Sequence, residues 1–170
     1  MTGAPARAAR EATARDARAV LAQVVDPEIP VISIEDLGIL RDVTVDEAGV
    51  VQVTITPTYS GCPAMDTIRA DVEAALAGAG HPGVRVRTVL SPAWTTDWMT
   101  EEGRRALDEA GIAPPAARAS AAPVLVGLSV RCPQCGSLDT RLLSRFGSTA
   151  CKALYRCDAC LEPFDHFKAI

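Results

Sequence analysis

The chain has 170 residues, of which 48% are hydrophobic and 22% are charged, and its formal net charge is −4. This length allows one ordinary domain plus a small second one, and the composition excludes wholesale disorder. The lack of a basic excess argues against a general nucleic-acid-binding protein. No apolar run approaches the roughly 20 residues of a membrane-spanning helix, and the N-terminal segment lacks the apolar centre of a secretory signal. We therefore predict a cytoplasmic protein that uses neither nucleic acid nor membrane as a partner.

Residues 1–110 predict an α-β-β-α-β-α domain of the α+β class, with a three-stranded sheet and helices on one face. Apolar residues recur at helical spacing through residues 6–25, and Asp26-Pro27 ends that helix because proline disfavours helical backbone in the residue before it. Residues 39–46 and 50–57 alternate apolar and polar side chains, which is typical of half-buried strands. Gly49, between the two, suits a hairpin turn.

A helix, a strand and a short helix complete the predicted domain. The helix is expected to begin at Cys62 or Pro63, since proline in a first turn loses no hydrogen bond. Alternating valines and arginines in residues 84–90 predict the third strand. The last helix is predicted within residues 101–111.

The rest of the chain predicts a linker and a second domain. Residues 111–123 are rich in Ala and Pro and contain few large apolar side chains, which favours a linker. Residues 124–170 read as short strands and predict an all-β domain. A unit this small rarely buries enough surface to fold alone, and a bound metal is a common remedy.

Four cysteines in this second domain form two C-x-x-C pairs separated by 21 residues, namely Cys132, Cys135, Cys157 and Cys160. In a reducing compartment this spacing indicates a metal site rather than disulfides. Four thiolates in a tetrahedron suit zinc, although a single iron or an iron–sulfur cluster uses the same ligands. We predict one structural zinc in a zinc-ribbon-like domain, with no open coordination position for catalysis.

Cys62 stands apart from these four, at the predicted turn between a strand and a helix. The unpaired N–H groups and the dipole of a helix N-terminus stabilise a thiolate. A half-buried structural cysteine is the alternative, and a nucleophile is disfavoured because neither histidine is placed to activate it. In the acidic loop, Asp26 and Glu28 are either turn residues or hard ligands beside Cys62. We predict that Cys62 with Asp26 or Glu28 forms a metal-transfer site.

The two tryptophans, one further cysteine and a histidine can also be interpreted. Trp94 and Trp98 lie four residues apart and predict either core packing beneath a loop or, if exposed, an aromatic anchor for a protein partner. Cys151 is interpreted as a small buried residue. His166 is interpreted as an ordinary side chain, because four cysteines already complete a metal site.

The combination of DPEIP, DLG and TPTYSGCP with the order of elements resembles the metal–sulfur cluster assembly domain family, which includes the SufT-like proteins. With SPAWTTDWM, the GIAPP linker and the cysteine-rich tail, residues 15–170 resemble the PaaD family. Its members are encoded with the multicomponent phenylacetyl-CoA ring-epoxidase of phenylacetate degradation. The motif cysteine of the assembly family corresponds to Cys62, and its acidic motif to Asp26, Pro27 and Glu28.

This resemblance implies an accessory protein without catalytic activity of its own. It would assist assembly or delivery of an iron–sulfur or di-iron centre, with a transient cluster at Cys62. The implied partners are the oxygenase or reductase components of the epoxidase, and a homodimer would allow Cys62 and an acidic residue to meet across subunits. The alternative is a rubredoxin-like or iron–sulfur electron carrier for the oxygenase.

Overall fold

A computed structural model describes residues 3–115 and 130–168. The chain forms two compact units, the N-terminal unit (Met1–Trp94) and the C-terminal unit (Thr95–Ile170). The predicted domain limits at residues 110 and 124 stay predictions, but this division falls earlier in the chain. No helix of the described residues combines the length and apolar character that a membrane crossing needs.

The N-terminal unit contains one sheet of three strands in the order β1-β2-β3. β1 (Leu40–Val45) and β2 (Val51–Ile55) are antiparallel and form the predicted hairpin. β3 (Arg85–Thr88) runs parallel to β2, as a connection through a helix allows. The odd-numbered residues of β2 are buried and its even-numbered ones half-buried, so one face of this sheet is covered.

Two helices cover that face. α1 (Gly3–Leu21) buries Ala17 and Leu21, and α2 (Met65–Gly78) buries Ile68, Val72 and Leu76. These residues are spaced three or four apart, and therefore form the apolar stripe that periodicity predicted. The helices contact the sheet and each other, which confirms the predicted α+β class for this unit.

β1 departs from simple alternation. Its pairing with β2 shifts between Leu40 and Asp42, because a bulge adds one residue at Arg41. Ile39, Leu40 and Val43 are consequently all buried, whereas the predicted alternation would bury only every second residue from Ile39 onward. The bulge therefore changes the face that each residue presents at the beginning of this strand.

The C-terminal unit begins with a 3₁₀ turn at Thr96–Trp98 and α3 (Glu101–Glu109). Its sheet has the order β4-β7-β6-β5, with β4 parallel to β7 and the other pairs antiparallel. The strands are β4 (Ile112–Ala113), β5 (Thr140–Ser144), β6 (Lys152–Cys157) and β7 (Pro163–Phe167). The last three lie in the region predicted to form short strands, and residues 124–129 of that region lie outside the described residues.

β4 is the main difference from the predicted organisation. Ile112 and Ala113 were assigned to the linker, but they pair with Asp165 and His166 of β7. A strand of two residues is too short to show a period, and it forms here because β7 offers an edge. The later part of the predicted linker, residues 116–123, lies outside the described residues.

Candidate functional site

The four predicted ligands in the C-terminal unit come together. Cys132, Cys135, Cys157 and Cys160 place their sulfur atoms within 4.8 Å of one another. The Sγ–Sγ distance is 3.8 Å between Cys132 and Cys160 and 3.5 Å between Cys135 and Cys157. A tetrahedron with Zn–S bonds of about 2.3 Å has S–S edges of about 3.8 Å. The donor set and its spacing therefore fit one structural zinc ion.

Two similar turns present these cysteines. In the first, the N–H of Gly136 donates to the carbonyl of Cys132 at 2.9 Å, and Gly136 has φ +74°. In the second, the N–H of Cys160 lies 3.5 Å from Cys157 Sγ, and Leu161 has φ +66°. The residue after each C-x-x-C pair is thus left-handed, which turns the chain back behind its two sulfur atoms.

The four thiols cannot all ionise independently at such distances. The N–H of Cys160, together with that of Ala159, lowers the pKa of Cys157 to about 7. At Cys160 the N–H of Glu162 acts in the lowering direction, but burial and the neighbouring thiols outweigh it and raise the pKa to about 12. A divalent cation would remove the repulsion between the thiolates, so metal binding releases protons.

The ligands belong to the core of the ribbon (residues 130–168). Buried Cys132 and Cys157 form one cluster with Ala113 and Phe164, and Tyr155 packs against it. Phe164 and Tyr155 thus pack next to the metal ligands. Metal and apolar contacts therefore stabilise the same part of this small unit.

Cys151 and His166 lie outside the ligand set found in the described residues. Cys151 is buried, with the hydroxyl of Thr149 3.0 Å from its sulfur. His166 Nδ1 lies 3.0 Å from the carbonyl of Ala113, and burial lowers the pKa of His166 more than this contact raises it. These placements agree with the interpretation of both as structural side chains.

In the N-terminal unit, three loop segments join the strands at the same end of the sheet. The register places Leu40, Ile55 and Thr88 side by side. The acidic loop (residues 22–39) therefore enters where the cysteine turn (residues 56–64) and the tryptophan segment (residues 89–94) begin.

Backbone hydrogen bonds hold this edge together. The N–H of Thr56 donates to the carbonyl of Ile39, and the N–H of Val89 donates to the carbonyl of Ile55, each at 2.9 Å. The fold thus brings the predicted acidic loop and Cys62 to the same end of the sheet, because their strands are antiparallel neighbours.

Cys62 lies in the cysteine turn, three residues before α2 begins at Met65. Its N–H donates to the carbonyl of Tyr59 at 3.3 Å, and its carbonyl accepts from the N–H of Met65 at 3.4 Å. This tight turn delays the helix beyond the predicted start at Cys62 or Pro63. The Cys62 side chain is half-buried, and no side chain of the described residues caps α2. First-turn N–H groups of α2 therefore point toward the turn that carries Cys62.

Asp26 organises the acidic loop. Its Oδ1 accepts the N–H groups of Glu28 and Ile29, both at 2.9 Å, and its own N–H donates to the carbonyl of Ile32. Asp26 is buried, whereas Glu28 is only half-buried. Asp26 thus has a structural role in shaping the loop, and Glu28 is the more accessible of the two predicted acidic residues.

Two threonines in the cysteine turn are buried, which the sequence did not predict. Thr56 and Thr58 are polar yet almost fully buried, and Thr56 Oγ1 has no hydrogen-bond partner among the described residues. The alternation of β2 ends at Thr56, so periodicity gave no signal for its burial. The Thr-Pro-Thr sequence just before Cys62 was the available signal for a polar interior here.

The two tryptophans have different surroundings. Trp94 is 2% exposed, and its Nε1 donates to the carbonyl of Leu37 at 3.1 Å. This burial argues against a docking role for Trp94, because its indole is part of the core beneath the acidic loop. Trp98 is half-buried in the C-terminal unit, and its role in docking stays a prediction.

Two family models match the chain. The model described as "Iron-sulfur cluster assembly protein" covers residues 14–91, and "PaaD zinc beta ribbon domain" covers residues 117–168. Over 152 residues the chain is 53% identical to a protein of Escherichia coli (strain K12) that is named as one of the subunits of "Putative 1,2-phenylacetyl-CoA epoxidase", with 89% of this chain and 90% of that protein covered. The chain belongs to the PaaD family.

Other relatives match the N-terminal part. The chain is 41% identical to "Fe-S protein maturation auxiliary factor" of Porphyromonas gingivalis (strain ATCC BAA-308 / W83), over 53% of this chain and 86% of that protein. It is also 40% identical to "Fe-S protein maturation auxiliary factor YitW" of Bacillus subtilis (strain 168), over 57% and 95% of the two chains. These matches confirm the resemblance to the assembly family.

A solved structure supports the fold of this part. The crystal structure of a DUF59 domain from Bacillus anthracis has a TM-score of 0.55 and 32% identity, covering 59% of this chain and 95% of that chain. For the C-terminal unit, the matching ribbon model specifies zinc, which favours zinc over the iron alternatives for the four cysteines.

Proposed function

We propose that this protein is a cytoplasmic accessory factor of a phenylacetyl-CoA epoxidase system. It assists assembly or delivery of an iron–sulfur or di-iron centre and has no catalytic activity of its own. The main support for this proposal is the 53% identity, across 89% of this chain, to the E. coli protein named as an epoxidase component. The names of the two maturation-factor relatives support the assembly role.

The proposed metal-transfer site is the edge of the first sheet. Cys62 supplies a soft thiolate from the cysteine turn, and Glu28 or Asp26 supplies a hard oxygen from the acidic loop. A thiolate and a carboxylate repel each other, while the N-terminus of α2 favours negative charge nearby. Iron, as cargo, would relieve that repulsion, and this makes the pair better suited to transient metal binding than to acid–base catalysis.

The proposed partners are the oxygenase or reductase components of the epoxidase. The four-cysteine site keeps a structural role, because a closed set of four thiolates leaves zinc no open position. Trp98 is proposed as a contributor to docking, given its half-buried side chain. The predicted homodimer stays a prediction that sedimentation velocity of the zinc-loaded protein would check.

Replacement of Cys62 tests the transfer role. We expect Cys62→Ser to fold and retain zinc but to abolish growth on phenylacetate in a host that lacks the native gene. Cys151→Ser is the matched control, since Cys151 is also outside the zinc site, and it should support growth. Normal growth with Cys62→Ser would contradict the ligand role of this residue.

Metal loading gives an independent measurement. Anaerobic incubation with ferrous iron and sulfide, followed by gel filtration and metal analysis, should leave iron on the wild type beyond its zinc. Cys62→Ser and Glu28→Gln should both reduce that iron, with unchanged zinc. Equal iron on all three proteins would contradict the proposed site, even if the growth phenotype persisted.

A further inference from the structure

A groove crosses one face of the ribbon sheet and is distinct from the four-cysteine site, although Tyr155, which packs against the ligand cluster, forms part of its wall. It has a volume of about 410 Å³, and its seven lining residues are Leu142, Arg145, Phe146, Ala153, Tyr155, His166 and Lys168. Register explains the floor, because Leu142 pairs with Tyr155 and Ala153 pairs with His166 across neighbouring strands. Paired residues lie on the same face of a sheet. The floor is therefore apolar and aromatic.

Apolar side chains are exposed at the rim of this groove. Phe146 is 67% exposed and Leu142 is 46% exposed. Lys168 Nζ lies 4.8 Å from the centre of the Phe146 ring and donates to the carbonyl of Arg145 at 3.3 Å. The rim thus consists of the Phe146 ring and two cationic side chains, Arg145 and Lys168.

Charge at the groove has one sign. Among the described residues, no carboxylate lines the groove and none forms an ion pair with Arg145 or Lys168. Asp165 precedes His166 in β7 and so points to the opposite face, where it contacts Lys152 at 3.4 Å. The pKa of His166 is lowered by burial, so the positive charge at neutral pH comes from Arg145 and Lys168.

We propose that this groove binds an acidic peptide segment of a partner protein. A leucyl or aromatic side chain of that segment would lie against Leu142, Phe146 and Tyr155. Flanking carboxylates would accept hydrogen bonds from Arg145 and Lys168, which have the complementary charge. This proposal concerns the C-terminal unit and does not depend on the transfer role of Cys62.

A nucleic acid fits these observations less well. Two other ribbon cations are already paired, Arg141 with Asp158 at 3.2 Å and Lys152 with Asp165. The groove itself supplies only Arg145 and Lys168, so a long phosphate backbone meets few positive charges along it. Lys168 also covers one face of Phe146, which leaves a single face on which a base could stack. A short acidic segment needs only the two cations that the groove supplies.

The test uses fluorescence anisotropy with the full zinc-loaded chain and three labelled dodecapeptides. The first peptide contains Asp and Glu around two Phe and one Leu, the second replaces the apolar residues by Ser, and the third replaces the acids by Lys. We expect saturable binding of the first peptide only. Arg145→Glu should weaken it about tenfold or more, as expected for loss of a charge-assisted contact and gain of repulsion.

Matched variants separate the groove from general charge or hydrophobicity. Arg87→Glu makes the same charge change on exposed β3, and Leu90→Ser removes an exposed apolar residue as Phe146→Ser does. Binding should fall with Phe146→Ser and should persist with Arg87→Glu and Leu90→Ser. All four variants are at exposed positions, and zinc content and circular dichroism would verify their folding.

Several outcomes would overturn the proposal. These are no binding of the first peptide, equal binding of the serine-substituted peptide, or an equal loss with Arg87→Glu. Tighter binding of a dodecamer of single-stranded DNA, lost with Arg145→Glu, would identify a nucleic-acid groove instead. A wild-type dimer that Phe146→Ser converts to a monomer would show that a second copy occupies the groove.

Discussion

The interiors of the two units consist of different kinds of side chain. In the N-terminal unit, aliphatic side chains such as Leu21, Ile55 and Ile68 are completely buried between helices and sheet. In the ribbon, the central cluster contains the metal ligands Cys132 and Cys157 themselves, and β5 buries none of its five residues. Apolar burial can hold the first interior by itself, whereas the second depends on four sulfur atoms sharing an ion.

The two units also differ in which side chains they bury and which they leave exposed. The N-terminal unit buries polar side chains at one end of its sheet, Asp26 in the acidic loop and Thr56 in the cysteine turn. The ribbon buries two of its four ligands, Cys132 and Cys157, and exposes apolar residues such as Phe146. Loss of metal and loss of a core side chain should therefore have separable effects.

Removal of one zinc ligand is expected to have the largest effect. Cys132→Ala leaves three thiols, and structural zinc contributes about 10–16 kcal/mol of apparent binding free energy in comparable small sites at neutral pH. The ribbon should lose zinc and unfold, while the N-terminal unit stays folded. Hydrogen exchange should rise to unfolded rates in peptides from residues 130–168 and remain slow in β2 and α2.

Cys151→Ala is the control for this comparison. Cys151 is buried in the same unit but is outside the ligand set, so its loss should leave zinc bound. Stoichiometric zinc in Cys132→Ala, or an equal loss of zinc in Cys151→Ala, would contradict the assignment of ligands. Chelation of the wild type should reproduce the exchange pattern of Cys132→Ala.

A large-to-small change in the aliphatic core is expected to have the next largest effect. Ile68 is fully buried in α2, and Ile68→Ala should lower the free energy of unfolding of the N-terminal unit by about 2–5 kcal/mol. Urea denaturation followed by Trp94 fluorescence in a Trp98→Phe background would measure this. The loss should be the same with zinc and with chelator, and a zinc-dependent loss would contradict independent stabilisation.

The sequence predicted the two interiors by different signals. Periodicity located α1, the β1–β2 hairpin and α2, because their buried residues repeat every two or every three to four positions. It indicated short strands in residues 124–170 but not that they form a ribbon, since β5 has no buried face and Leu142 and Leu143 are exposed. Cysteine spacing found the ribbon instead, and all four predicted ligands meet there.

The features that sequence analysis missed depend on pairing or on packing between distant segments. β4 forms only because β7 pairs with it, and the bulge at Arg41 is a property of two strands together. Trp94 is buried because it reaches the carbonyl of Leu37, 57 residues away in the chain. The groove was missed because Phe146 and Lys168 meet only after the ribbon closes.

Replacement of Asp26 should have a smaller effect that separates structure from metal binding. Its Oδ1 accepts two N–H groups, one of them from buried Ile29. Asp26→Ala should lower the stability of the N-terminal unit by about 1–3 kcal/mol, because it leaves buried donors without an acceptor. Asp26→Asn keeps an acceptor oxygen and should lower stability less.

The two Asp26 variants also bear on the proposed site. If Asp26 only shapes the loop, Asp26→Asn should retain growth on phenylacetate. If it is a metal ligand, Asp26→Asn should reduce iron loading despite near-normal stability in urea. A stability loss equal to that of Asp26→Ala would contradict the role of Oδ1 as a hydrogen-bond acceptor in the loop.

The smallest expected effect compares the two cysteine turns within the ribbon. Gly136 and Leu161 follow the second cysteine of each turn and both have positive φ, +74° and +66°. A left-handed conformation costs a residue with a Cβ about 1–2 kcal/mol, and glycine avoids this cost. Among the described residues, a Cβ at Gly136 would meet only Arg131 Nη1, at an ordinary 3.6 Å, so backbone conformation dominates any change there. Gly136→Ala should therefore destabilise the zinc-loaded ribbon by about 1 kcal/mol, and Leu161→Gly should stabilise it by a similar amount because exposed Leu161 loses little packing.

Competition with a colorimetric zinc chelator should show opposite changes in zinc affinity for the two variants. Changes of the same sign would mean that the second turn relies on the Leu161 side chain, and that the two turns are alike in backbone shape but not in how that shape is stabilised.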